Sequence, residues 1–268
     1  MKAAQVVSAA LCLPLLTLAA EAPWQIESSL THEHLSNGSP DWRQLDLALR
    51  RRLDGGAVVD LGLRQAERYD ATDRELGIGA TWPVAADWQL ALRGTTAGSA
   101  AFLPRNGIAF DVSRQLGSGW LANAGMTRNR FAPTDVSATG TTLLRLGLER
   151  YFGDWRLASG WTRGRLDGGQ AANGWRFQVD HYFGEAGRIG LLVAGGRELE
   201  AAPLGLISTR VDSAVLLARW RMAEGWSLTV DAGRTRVSDI LRQSDAGTEP
   251  LPGGYRRDGV RVGVQHEF

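Results

Sequence analysis

Apolar and polar residues alternate one for one in short runs along almost the whole chain. At its C-terminal end Val260, Val262 and Val264 share one face with His266 and Phe268, while Arg261, Gly263, Gln265 and Glu267 share the other. Leu45, Leu47 and Leu49 alternate with Gln44, Asp46 and Ala48. Val59, Leu61 and Leu63 alternate with Asp60, Gly62 and Arg64, and Leu144, Leu146 and Leu148 with Arg145, Gly147 and Glu149. A period of two is that of a β-strand with one apolar and one polar face; a sustained 3.6 period, which would mark a helix, is almost absent. About fourteen strands are expected from these runs, near Trp24, Trp42, Val59, Leu76, Leu90, Phe110, Ala122, Leu146, Leu157, Phe177, Leu191, Leu216, Leu228 and Val262.

The connections alternate too. Tight, Gly- and Asp-rich turns are expected at Leu53–Gly56, Pro83–Ala86, Leu116–Gly119, Phe152–Asp154, Phe183–Gly187 and Met222–Gly225, with the residues that hairpins require. Between them, longer irregular loops are expected at Gly98–Arg105, Ala132–Thr139, Leu166–Ala172, Leu199–Ser208 and Val237–Gly254, with two short ones around Asn37 and Ala71. Short turns at one end and mostly longer loops at the other mark an up-and-down barrel that crosses a membrane. The pattern therefore predicts an all-β fold, a single transmembrane antiparallel up-and-down β-barrel of about 14 strands within a range of 12–16.

Tryptophan recurs at the tight turns. Trp88, Trp120, Trp155 and Trp226 each open a strand just after one, and Trp82 and Trp220 close the strand before one. With Phe268 they make an expected aromatic girdle at one membrane interface. Trp42, Tyr69, Trp161, Trp175 and Tyr255 lie toward the other end. An even strand count puts both termini on the periplasmic side. The strand Tyr255–Phe268 must then pair with the first to close the sheet, since open edges are not tolerated in lipid. A terminal Phe on such a strand also resembles the signal read by the outer-membrane assembly machinery, with His266 departing from the usual aromatic.

The polar face becomes the lumen. It carries Asp60, Arg64, Asp111, Arg145, Glu149, Arg176, Asp180 and Arg261 among smaller residues, with glycines at Gly62, Gly77, Gly79, Gly125, Gly147, Gly160 and Gly190. Arg64, Asp111, Arg145, Glu149, Arg176, Asp180 and Arg261 are the expected charge ladder, read either as structural Arg–carboxylate pairs or as a selective constriction.

Composition narrows the class. Met1-Lys2 and the apolar run Val6–Ala20 read as a secretory signal covering 1–20, cleaved after Ala20 and leaving the barrel over 21–268. The single Cys, Cys12, and the single Lys leave with it, so the mature chain has no disulfide or thiolate ligand. A formal net charge of +1 gives no basic excess for nucleic acid. No stretch reaches the roughly 18 apolar residues of a membrane helix, but alternation hides a barrel from that measure.

Catalytic constellations are thin. His32 and His34 share one face of the first strand and could hold a metal pair, but no acidic cluster is adjacent in sequence. With Ser28 or Ser29 they are the only local hint of a membrane-embedded hydrolase. No Gly-x-Ser-x-Gly and no phosphate loop occurs in the mature chain. No catalytic residue, metal or cofactor is expected.

Five stretches resemble the YaiO-like outer-membrane β-barrel family: Arg68-Tyr69-Asp70 followed by Asp73; Phe102-Leu103-Pro104 to Gly107; Leu148-Glu149-Arg150-Tyr151-Phe152-Gly153; Gly195-Gly196-Arg197-Glu198-Leu199-Glu200; and Tyr255-Arg256-Arg257-Asp258-Gly259. The resemblance spans about residues 25–268. It implies an outer-membrane barrel of a Gram-negative bacterium with neighbours in surface polysaccharide handling, and a periplasmic partner where the family's helical repeats are missing. The expected function is a non-enzymatic channel or surface scaffold in contact with outer-membrane lipids. The alternatives are a membrane-embedded lipid- or glycan-modifying enzyme and a soluble periplasmic β-sandwich binder.

Overall fold

The computed structural model describes residues 24–98, 100–131, 140–167, 171–202, 205–244, 247–251 and 253–268; the expected signal segment lies outside them. The chain runs through β1 (Trp24–Leu35), β2 (Trp42–Arg52), β3 (Val58–Arg68), β4 (Ala71–Ala85), β5 (Trp88–Ala97), β6 (Asn106–Gly117), β7 (Trp120–Arg130) and β8 (Gly140–Phe152). It continues through β9 (Trp155–Leu166), β10 (Ala171–Phe183), β11 (Gly187–Ala202), β12 (Gly205–Ala223), β13 (Trp226–Ser244), β14 (Gly247–Pro250) and β15 (Tyr255–Glu267). Each strand from β1 to β13 pairs antiparallel with the next, and β15 pairs with both β13 and β1. β14 is a four-residue flap on the end of β13. The sheet is thus a closed barrel of fourteen staves, each at one of the alternating runs.

Closure explains the last residue. The Trp24 N–H donates to the Phe268 carbonyl at 3.1 Å, and the Phe268 N–H donates back to Trp24 at 3.0 Å. The first and last of the fourteen described staves complete one ladder, so the staves leave no open edge between them. A single closed sheet has no second layer, which rules out the two-layer sandwich. The outward side chains are the apolar ones: Leu30 is 63% exposed, Ile78 67% and Leu146 54%. A belt of this extent is sheltered by hydrocarbon rather than by protein. No helix among the described residues is long and apolar enough to cross a membrane; the crossing is made by strands.

Two expected loops are corrected. Leu199–Ser208 and Val237–Gly254 are mostly strand: β12 and β13 each run to 19 residues and β11 to 16, against 10 to 15 for the other staves. The surplus carries the outer ends of β11 and β12, paired as far as Ala202 and Gly205, and of β13 beyond those of the other staves. Pattern reading stopped these strands early because alternation of apolar with polar residues is enforced only at membrane depth. The turn at Tyr69-Asp70 is short, as expected, with both residues at positive φ, 54° and 60°. That is the geometry of a two-residue hairpin. Buried apolar side chains gather inside the barrel at the end away from the termini.

Candidate functional site: the lumen and its outer mouth

The lumen wall is tied together by ion pairs that step over glycines. Asp111 on β6 and Arg145 on β8 meet at 2.8 Å across β7. Between them lies Gly125, where a Cβ would collide with both side chains. Arg93 on β5 reaches back over β4 to Asp60 on β3; its guanidinium lies on Gly62 and Gly77, 2.7 Å from where either Cβ would stand. Arg176 lies over Gly160 in the same way. A bare backbone lets a long side chain lie flat against the wall and find a partner two strands away. The abundance of glycine on the polar face therefore has a geometric cause.

A second chain of charges follows the wall without gaps. Arg156 donates to Glu149 at 2.7 Å and to Asp180 at 2.8 Å. Both carboxylates are almost fully buried. Tyr151 donates to Glu149 at 3.0 Å and Gln178 to Asp180 at 2.9 Å, so the lone pairs are used. Arg64 bridges Asp46 at 2.9 Å and Glu75 at 3.3 Å. Arg261 bridges Glu27 at 3.0 Å and Asp231 at 3.6 Å. All seven ladder residues face inward, and Arg64, Asp111, Arg145, Glu149, Asp180 and Arg261 each have at least one partner of opposite charge, with neutral donors or acceptors beside it on Arg145, Glu149, Asp180 and Arg261.

The outer mouth is built differently. Trp42 turns into the lumen, 2% exposed. Its ring lies 4.7 Å from the Arg68 guanidinium and 5.1 Å from that of Arg257. Arg257 is in turn 3.0 Å from Glu33. Tyr69 packs edge-on against Trp42 at 5.5 Å and Phe102 at 6.4 Å. Leu35, Val211, Val237 and Tyr255 complete the layer. Cations over aromatic faces in a dry setting attract more strongly than at an exposed site.

One loop is folded inward to join them. The Asp73 carboxylate, fully buried, accepts hydrogen bonds from the backbone N–H groups of Ala101 (3.0 Å), Phe102 (2.8 Å) and Leu103 (2.7 Å). This fixes the β5–β6 connection against the lumen wall and packs Phe102 and Leu103 on Ala66 and Ala97. Charge-assisted bonds of this kind are about twice as strong as neutral ones. Tyr69 holds a left-handed backbone, a strained choice for a bulky residue; its packing between Trp42 and Phe102 offsets that strain.

The remaining sequence candidates separate. Trp82, Trp88, Trp120, Trp155, Trp220, Trp226 and Phe268 all sit on the outward face at the end holding the termini and tight turns. His181 and His266 lie among them: His266 stacks on Trp226 at 4.2 Å and Phe268 at 5.4 Å, and His181 on Trp155 at 4.6 Å. The aromatics at the other end do not form one set. Trp161 and Trp175 face out, whereas Trp42, Tyr69 and Tyr255 belong to the mouth.

His32 and His34 face out near the outer rim, both within reach of Asp41, at 3.3 and 2.9 Å. The hydrogen bond with His34 holds the Asp41 carboxyl below its usual range. No cluster of metal-ligating residues occurs among the described residues. Ser29 points into the lumen, on the opposite face from the histidines, and Ser28 is four residues from His32 along an extended strand, roughly 13 Å. No Ser–His pair is formed on β1. The sequence reading missed the mouth because it sorted residues by type and by end of strand, not by parity: Trp42 shares its face with Gln44 and Asp46, which already placed it inside.

Four of the five family-like stretches meet here. Arg68, Tyr69 and Asp73, then Phe102 and Leu103, then Glu198, then Tyr255 and Arg257 all gather at the mouth, with Glu198 half-buried near the charges of Arg257 and Arg68. The model of the YaiO membrane β-barrel domain matches residues 24–196. The chain belongs to that family. The match covers β1 to β10 and part of β11; β12, β13 and the closing strand lie beyond it. No curated protein matches the sequence.

Solved structures share the fold at low identity. A monoaromatic hydrocarbon channel, CymD, aligns with a TM-score of 0.62 at 9% identity, covering 92% of this chain and 89% of that one. A bacterial polysaccharide outer membrane secretin gives 0.58 at 10%, covering 93% and 100%. An anion-selective porin from Comamonas acidovorans gives 0.51 at 13%, covering 91% and 98%. The chain is a membrane β-barrel with the closed, antiparallel architecture of the porins.

Proposed function

We propose that this barrel is a non-enzymatic outer-membrane channel for saccharide chains, shut at its outer mouth by the Asp73-held loop. The observation that carries this reading is the mouth itself. Trp42, Phe102 and Tyr255, with Tyr69, Arg68 and Arg257, are packed together while the mouth is shut; once the loop swings away they would offer aromatic faces and planar cations, the chemistry that takes a sugar ring on one side and its hydroxyls or carboxylate on the other. Beneath the mouth the ladder charges are paired, so the lumen is polar without a strong field of one sign. The polysaccharide secretin and the hydrocarbon channel among the fold neighbours support a transport role by analogy alone. The outward aromatics at the turn end serve as the interfacial girdle, and Tyr255–Phe268 as the strand read by the assembly machinery.

Liposome swelling tests the reading. Proteoliposomes of Asp73→Ala are expected to swell in maltose and maltotetraose several-fold faster than those of the wild type. Equal, negligible swelling of both would leave the barrel a closed scaffold.

A further inference from the structure

The outward face at the rim of β7 to β9 carries an unbalanced group of cations. Arg128 and Arg165 stand opposite Thr142 from either side, so the three lie at one level across three strands. Arg130 is two residues further out on β7, and Arg163 two residues closer in on β9, opposite Leu144. By strand parity all four arginines share the face of Met126, Leu144, Leu146 and Trp161, which is the lipid-facing one. Trp161 and Trp175 form a cross-strand pair immediately below Arg163.

One acid answers this group. Asp167 is 2.6 Å from Arg128, which also donates to the Thr142 hydroxyl at 3.0 Å. Arg130 forms no ion pair of its own and only shares the attraction of Asp167, while Arg163 and Arg165 have no acidic partner among the described residues. Much of the rim is arranged otherwise: Arg43 stands opposite Glu67, Arg234 bonds Asp258 at 2.6 Å, and Arg210 lies near Asp212. Like charges crowded on a sheet face are unfavourable unless an anion joins them. The position fixes which anion. Cations just above an apolar, tryptophan-bearing belt stand at headgroup depth, on the side away from the termini.

We propose that this patch binds the phosphorylated headgroup of an outer-leaflet glycolipid. Arg128, pinned by Asp167 and Thr142, fixes one side, and the guanidinium groups of Arg130, Arg163 and Arg165 supply paired donors to phosphate oxygens. The lipid's acyl chains lie along Met126, Leu144, Trp161 and Trp175. The spacing across two strands, about 10 Å, suits an extended headgroup rather than a single small ion.

The test uses the folded, full-length barrel in phosphatidylcholine nanodiscs, titrated with diphosphoryl lipid A, with the same lipid dephosphorylated, and with inorganic phosphate. Wild type is expected to prefer the diphosphoryl form by at least about tenfold and to ignore inorganic phosphate. The triple variant R130S/R163S/R165S is expected to lose that preference, while R43S keeps it. Heat-shifted gel mobility of each variant checks that the barrel is intact. Equal affinity for both lipid forms, or a triple variant that binds like wild type, would overturn the proposal. Tight binding of inorganic phosphate alone would replace the lipid with a free anion. None of these readouts depends on whether the lumen conducts.

Discussion

Asp73 holds the backbone of Phe102 at 2.8 Å, across 29 residues of sequence. One carboxylate on a strand thereby sets the path of a loop between two other strands, and with it the state of the outer mouth. Asp73→Ala should free that loop. Three N–H groups lose a charged acceptor, each such bond being worth about 1.5–3 kcal/mol, so loop closure should weaken by at least about 2 kcal/mol. Hydrogen exchange at Ala101, Phe102 and Leu103 will read it, with faster exchange expected there and none of that change at β8 to β10.

The glycine gaps should tolerate no side chain. Gly125→Ala places a methyl where Asp111 and Arg145 meet, and should lower the urea midpoint by the equivalent of about 1–3 kcal/mol. Gly94→Ala is the matched control: it faces outward and a Cβ there meets nothing within 4 Å. Indistinguishable midpoints for the two variants would show that the bridge over β7 contributes nothing.

Asp180 is fully buried against Arg156. Asp180→Ala leaves a buried guanidinium with only Glu149, and removal of one partner from a buried pair costs about 3–5 kcal/mol. Denaturation followed by tryptophan fluorescence should show that loss. Asp180→Asn, which keeps an acceptor, should lose less.

Asp41 gives the rim an acid-side sensitivity. Its carboxyl is held below the usual range by the hydrogen bond with His34. A depressed carboxylate stabilises fully above its unfolded-state value, near pH 4, and that contribution fades as pH falls through the lower folded value. The β1–β2 turn should therefore loosen at strongly acidic pH. Hydrogen exchange at Ser36 and Asn37 against pH will follow it, and Asp41→Asn should remove the dependence.

Strand number, alternation of faces and the antiparallel order could be read from the sequence because hydrocarbon outside and water inside force a period of two on every stave. The ladder residues were legible for the same reason, as the charged members of the inward face. What could not be read was pairing. Asp111 and Arg145 are 34 residues apart and meet only because β7 offers a glycine at the right register. The mouth was hidden more deeply. Above membrane depth apolar residues also turn inward, so Trp42, Leu35 and Tyr255 broke the rule that reads polar as lumen. The long outer parts of β12 and β13 were missed because there the apolar residues, Ile207, Val211, Val237 and Ile240, are buried at the mouth instead of facing lipid.

The claim on which the rest depends is that inward-turned aromatic and arginine side chains close the outer end of this barrel. Planar-bilayer recording of the wild type beside Trp42→Ala/Phe102→Ala tests it most directly. The wild type should show rare, small openings, and the double variant steady conductance severalfold larger. Large, steady conductance in the wild type, unchanged by the two substitutions, would contradict it.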